Sequence, residues 1–259
     1  VAEPVAVVTG AQGRIGHLVA TGLHSRGYAV VGLDRPEAVG AGGGRGADRI
    51  PWTLLACDVA AEDQVRATFA SIEAEHRRVD VLVLSAGLSA IGSITDHGLD
   101  VHRQVMDATH FGAVACIQAA YPMLRAGGGH AVLIGSVAGF APVIGRPAYV
   151  AAKHAVTGLV EAIRPELAAD GIGVTIVHPT FVSGGMSEAA PRTAGAQRVV
   201  TGEEISPADV AEATLDGIER RSERVFVGRT ARLAWFASRH APGLYRRLML
   251  RRMGSKEIA

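Results

Sequence analysis

The chain has 259 residues, 48% of them hydrophobic and 20% charged, with a formal net charge of +1. That composition excludes intrinsic disorder for most of the chain, and no apolar run reaches the roughly 18 residues needed to span a bilayer. The two cysteines, Cys57 and Cys116, cannot build a disulfide framework and read as small core residues in a reducing, cytoplasmic compartment.

Short β-rich runs alternate with longer helical patterns. In chain order the strand candidates are Val5–Thr9, Tyr28–Leu33, Thr53–Cys57, Val81–Leu84, Ala131–Gly135, Val174–Val177 and Arg224–Val227. Several are nearly continuous Val, Ile and Leu, as expected of strands buried on both faces. Between them Arg14–Arg26, Ala61–Glu75, Leu99–Arg125, Ala148–Ala169 and Pro207–Arg221 carry helical apolar spacing. This alternation predicts an α/β fold, a single doubly wound Rossmann domain over residues 1–259 with a parallel sheet and helices on both faces.

Two segments break the rhythm. Residues 36–50 hold five glycines between 40 and 46 and read as a loop. Residues 180–206 lack clear periodicity and follow the carboxyl end of a strand, where α/β sheets bind ligands, so they read as a substrate lid.

The first strand runs into Thr9-Gly10-Ala11-Gln12-Gly13-Arg14-Ile15-Gly16 and then a helix. Glycines there let the backbone turn tightly and approach a pyrophosphate, and the helix amino terminus supplies N–H groups and a favourable dipole. Asp34 closes the second strand 18 residues after Gly16. A carboxylate at that point accepts hydrogen bonds from ribose hydroxyls and repels a 2′-phosphate, which favours NAD. Arg14 and Arg35 leave room for NADP, because a guanidinium pairs with phosphate. A tight structural turn beside a surface Asp is the bland alternative.

Tyr149 and Lys153 are four residues apart and share a helix face, while Ser136 ends a strand-like run thirteen residues before Tyr149. A free tyrosine has a pKa near 10, and a neighbouring ammonium stabilises its phenolate. A Tyr-x-x-x-Lys pair alone is common by chance; with the glycine turn, Asp34 and Ser136 it is not.

On these residues the chain resembles the short-chain dehydrogenase/reductase family, in its classical size class, over nearly its whole length. Asp58 after the third strand, Ser85-Ala86-Gly87 after the fourth, and Pro179 followed by Val182 extend the resemblance. It implies a seven-stranded sheet, with Tyr149 as general acid/base. Lys153 would lower the tyrosine pKa and bind the nicotinamide ribose, and Ser136 would orient the substrate oxygen. Asp58 and the adjacent Val59 would meet the adenine, and Val182 the carboxamide. Four departures stand out, one of them Thr180 and Gly184 in place of the glycine and threonine of the family's usual Pro-Gly-x-Val-x-Thr run. Gly10, Gly13 and Gly16 spell the glycine motif of the family's extended branch, with Arg14 where a glycine is usual. Ser85 stands where Asn is usual. Thr109 stands where a catalytic Asn usually kinks a helix and holds a relay water, which implies a slower proton relay.

The ten histidines show no metal-site spacing, so no metal is expected. His110 and His154 neighbour candidate site residues and read as structural. From Arg220 to Ala259 eleven basic residues face two acids, giving +9 and leaving −8 on the remainder. Within this span, residues 229–259 form a basic extension that Pro242-Gly243 splits into two helical pieces. It reads as an interfacial element on anionic lipid, as a subunit contact in a homo-oligomer, or as a solvated helix end with a few core anchors. Nucleic acid is not expected, since the body is acidic.

The expected function is NAD(P)-dependent interconversion of a secondary alcohol and a ketone, NAD-preferring and on a lipophilic, steroid-like or long-chain substrate. The alternatives are a cofactor-sensing protein with weakened turnover and a sugar or polyol dehydrogenase.

Overall fold

The computed structural model describes residues 3–40, 50–184, 186 and 204–253. The strands β1 (Val5–Thr9), β2 (Ala29–Asp34), β3 (Thr53–Ala56), β4 (Val81–Leu84), β5 (His130–Ile134), β6 (Gly173–Pro179) and β9 (Arg224–Val227) form one sheet. Its order is β3-β2-β1-β4-β5-β6-β9. Every pairing is parallel. The chain winds outward from β1 in one direction and from β4 in the other, so the order reverses between them. At such a switch point the loops on neighbouring strands diverge and leave a crevice at the carboxyl edge.

Alternation within β1 shows why a continuous apolar run belongs in a two-sided sheet. Val5 and Val7 enter one core with Phe69, Cys116, Leu124 and Val160. Ala6 and Val8 enter the opposite core with Val19, Leu23, Val210 and Leu215. The first core is covered by α3 (Glu62–His76), α5 (Gly112–Gly127) and α6 (Pro147–Ala169), the second by α1 (Arg14–Ser25) and α7 (Pro207–Glu219). Each buried Val or Leu contributes about 1.5–3 kcal/mol relative to exposure, which outweighs the weak helical preference of β-branched residues. Both cysteines are buried and free, as their apolar settings predict.

Two expectations need correction, and a third lies largely outside the described residues. The loop expected at 36–50 begins with a short helix, α2 (Pro36–Gly40); residues 41–49 lie outside the described residues. The single helix expected over Leu99–Arg125 is broken: α4 (Leu99–Met106) passes into a π-turn at Asp107–Phe111 before α5 begins. The 3.6-residue apolar spacing survives this one-residue bulge, so the pattern hid it. The lid candidate at 180–206 lies largely outside the described residues. Its two ends pair as short strands, β7 (Phe181–Val182) and β8 (Glu204–Ile205). The tail forms two helices, α8 (Ala231–His240) and α9 (Pro242–Met253), divided at Pro242 as its sequence predicts.

At the opposite edge of the sheet His130 opens β5. Its Nε2 donates to Thr175 Oγ1 at 2.6 Å, and Thr175 in turn donates to the Ser222 carbonyl. Burial, with Arg221 and Arg164 nearby, pushes the His130 imidazole down to about 4. Between pH ~6.5 and ~4 the unfolded chain therefore binds a proton that the folded chain refuses, so this stabilisation is present above 6.5 and is lost as pH falls. We expect the melting temperature to drop over that window by the equivalent of roughly 3 kcal/mol from His130. His130→Gln should flatten the drop; an unchanged slope in pH-dependent thermal melts would refute it.

Candidate active site

The turn from β1 into α1 is built around glycine. Gly10 has φ +65, and a Cβ there would come within 2.9 Å of the Ala86 N and Cα. Gly13 N donates to the Gly10 carbonyl at 2.9 Å, and α1 then starts with no side chain capping its first N–H groups. Uncapped N–H groups at a helix start attract anions. Thr9 Oγ1 accepts from Ser85 N and Ala86 N, each at 3.2 Å, and so ties the β1 and β4 ends together. Asp34 accepts from Gln12 N at 2.7 Å and from Arg35 N at 2.8 Å, which clamps the end of β2 to the glycine turn. Asp58 accepts from Ala60 N at 3.0 Å.

Across the β4–β5 boundary lies the second half. Ser136 follows β5 in an extended conformation and accepts from Ala138 N at 3.1 Å, capping a single 3₁₀ turn. Its carbonyl accepts from Nδ1 of the buried His178 at 3.0 Å. Burial drives His178 down to about 4, so the ring is neutral at pH 7 and donates from Nδ1. From α6, Lys153 is fully buried and donates from Nζ to the Ile134 carbonyl at 2.7 Å. Its ammonium is held below the usual lysine range by burial; Tyr149 pulls the other way and Arg146 adds to the depression. Lys153 Nζ lies 5.8 Å from the Tyr149 ring centroid.

These two halves line one cavity of about 860 Å³. On its walls stand Gly10, Gln12, Gly13, Arg14, Ile15, Asp34, Arg35, Asp58 and Val59 from the first half. Ser85, Ala86, Gly87, Ser136, Tyr149, Lys153, Pro179 and Val182 stand on its second half. Two expected residues do not line it. Gly16 sits behind the turn, where a Cβ would land on the Gly10 carbonyl oxygen, so it serves close helix–turn packing. Thr109 is buried in the π-turn, accepting from Leu88 N at 3.1 Å. It borders a small separate cavity of about 10 Å³ next to Lys153, close to the minimum for one water.

Sequence reasoning missed part of the wall. Arg146, Ser89, Gln104 and Asp107 contribute polar groups, and Leu88, Val101, Val105 and Val143 an apolar face. Arg146 had a signal: it stands three residues before Tyr149, a spacing that brings side chains together on a helix. His178 had none, because its role depends on β5–β6 pairing.

A dinucleotide fits these residues. The cavity lies within the ~300–1,000 Å³ range of ligand sites, and Gly10 and Gly13 line it beside the uncapped N–H groups of the α1 start, where a pyrophosphate would be attracted. Replacing Gly10 with Ala should cost about 1–2 kcal/mol from the left-handed φ alone and further displace Ala86. We expect a lower melting temperature together with at least tenfold weaker NADH binding by fluorescence. Unchanged binding would show that the turn does not cradle the cofactor.

Comparison with known proteins agrees with this geometry. The family described as short chain dehydrogenase matches residues 4–195. Dehydrogenase/reductase SDR family member 7B of Danio rerio is 32% identical over 96% of this chain and 85% of its own length. A protein named 3beta-hydroxysteroid dehydrogenase from Mediterraneibacter gnavus is 33% identical over 68% of this chain and 65% of its own. Among solved structures, a short-chain dehydrogenase from Streptomyces avermitilis superposes with TM-score 0.76 at 26% identity, covering 96% of both chains. One from Burkholderia cenocepacia in complex with NADP gives TM-score 0.79 at 23% identity over 95% of this chain and 97% of that one. The chain belongs to the short-chain dehydrogenase family, oxidoreductases that act on CH–OH groups with a nicotinamide cofactor.

Proposed function

We propose that this protein interconverts a lipophilic secondary alcohol and its ketone, with Tyr149 moving the hydroxyl proton. The supporting observation is the single cavity that joins the glycine turn and Asp34 to Ser136, Tyr149 and Lys153. When bound, the nicotinamide supplies or accepts the hydride. Everything else falls to this chain. Gly10–Ile15 and the α1 start would hold the phosphates, Asp58 and Val59 would meet the adenine, and Pro179 and Val182 the nicotinamide end. Ser136 orients the substrate oxygen toward the Tyr149 hydroxyl. Lys153, with Ile134 O fixing one of its three N–H donors, supplies positive charge beside the phenol and reaches the nicotinamide ribose. Thr109 lacks the carbonyl that would anchor a relay water, so the proton leaves Lys153 less readily.

An NAD preference rests on Asp34. Its carboxylate is fixed by two backbone amides at the end of β2, where a 2′-phosphate would meet its negative charge. The apolar face of Leu88, Val101, Val105 and Val143 supports a lipophilic substrate, as does the steroid-dehydrogenase name of a relative.

No helix among the described residues is long and apolar enough to cross a membrane. Arg232, Arg239, Arg246, Arg247 and Arg251 stand beside the exposed Leu233, Phe236, Leu244 and Leu248 on α8 and α9. Peripheral contact with anionic lipid and contact with a second subunit both draw support from that pattern.

Two experiments test this function. Tyr149→Phe should lower turnover on a steroid and long-chain alcohol panel by ~10²–10⁴-fold while leaving NADH affinity within a few-fold. Retained turnover would remove Tyr149 from the chemistry. Asp34→Ala should move the ratio of kcat/KM with NAD to that with NADP by at least tenfold toward NADP; an NADP preference in the unaltered protein would overturn the role of Asp34.

A further inference from the structure

The cavity holds a second buried cation. Arg146 is only 8% exposed, at the residue preceding α6. Its guanidinium carbon lies 4.3 Å from the centroid of the Tyr149 ring. Two of its nitrogens donate to one oxygen, Ser89 Oγ, at 2.6 and 3.2 Å. Ser89 is itself buried, in the segment after β4. The guanidinium is thus held from the segment after β4, whereas Tyr149 stands on α6. We propose that Arg146 is a positioning residue for Tyr149: anchored by Ser89, it holds the phenol ring in place and, with Lys153, sets two cations beside it. The role of Tyr149 as proton carrier, set out above, is the basis for this inference.

The physical argument has two parts. A cation over a neutral aromatic face is attracted by the ring quadrupole. When the hydroxyl ionises, the negative charge spreads into the ring, and the same contact becomes a charge–charge attraction in a water-poor site. Arg146 therefore binds the phenolate form more strongly than the phenol. An opposite charge within ~4–6 Å shifts an ionisation equilibrium by ~1–3 pH units. Other groups act as well. Lys153 on α6 works in the same direction as Arg146. Asp107, from the π-turn packed against α6, lines the same cavity and opposes them. His178 on β6 stands behind Ser136 and is neutral. No described residue of the 3₁₀ turn, Val137–Gly139, carries charge. A lysine at 146 would keep the charge but lose the flat surface and the forked contact to Ser89.

The test needs no substrate. The protein has four tyrosines. Near-ultraviolet phenolate absorbance of the whole protein, minus that of Tyr149→Phe, isolates the ionisation of Tyr149 itself. Arg146→Met should raise its midpoint by about one pH unit, a tenfold loss of phenolate at neutral pH. Arg146→Lys should give a smaller rise. Ser89→Ala, which retains the cation but removes this anchor, should also raise the midpoint by less than Arg146→Met. Should Arg146→Met fail to fold, the lysine and Ser89 variants carry the test. Midpoints for all the folded variants that coincide with the unaltered protein would overturn the proposal, as would a Tyr149 that does not ionise across the accessible range. Turnover by Tyr149→Phe tests the reaction separately, so the reaction and the role of Arg146 fail on different readouts.

Discussion

The buried ammonium of Lys153 sets terms that the rest of the site must meet. A charge with no water around it is costly unless polar groups replace its hydration. Here the Ile134 carbonyl at the end of β5 takes one N–H, and the Tyr149 phenol stands close enough to gain from the field. That single hydrogen bond joins α6 to the carboxyl edge of the sheet. It fixes the height of Tyr149 one turn earlier on the same helix, and it lies two residues from Ser136. Displacing α6 along its axis would break the bond and leave the charge unpartnered. The register of helix on sheet is thus enforced by electrostatics as well as by the apolar core.

The glycine-turn half of the cavity obeys a different constraint, close approach of backbones. Gly10 and Gly16 meet neighbours at distances that exclude a Cβ, one toward Ala86 on the β4 loop and one toward the Gly10 carbonyl. Thr9 and Asp34 then fasten β4 and β2 to this turn through side-chain oxygens. Three strand ends are held as one surface before any ligand arrives. Preorganisation of this kind lowers the ordering cost of binding a long, flexible dinucleotide.

The sheet was legible because its strands are short, buried on both faces and nearly pure Val, Ile and Leu. The glycine-turn wall of the cavity was legible because glycine and carboxylate have few other reasons to stand at those spacings. What escaped depends on through-space packing. The π-turn at Asp107–Phe111 leaves the apolar period intact on either side, so Leu99–Arg125 looked continuous. Gly16 read as a cofactor contact, yet its lack of a side chain serves α1 against the turn. Helix α2 occupies five residues of a glycine-rich segment whose composition pointed only to a loop. Arg146 was visible as a residue three positions from Tyr149, but its anchor, Ser89, is 57 residues away in sequence and meets it only after β4 and β5 pair.

The charge asymmetry is partly resolved by packing. Trp235 on α8 meets both Arg224 and Arg239, whose guanidinium carbons are 5.3 and 5.0 Å from its ring centroid. The same indole meets Phe226 at 5.9 Å, Phe226 stacks on His178 at 5.6 Å, and His178 holds the Ser136 carbonyl. Two of the arginines in the basic span are therefore engaged by an aromatic column whose far end is the residue expected to orient the substrate. An arginine on aromatic surface also sheds hydration more readily than a lysine would, and of the eleven basic residues that follow Glu219, ten are arginine.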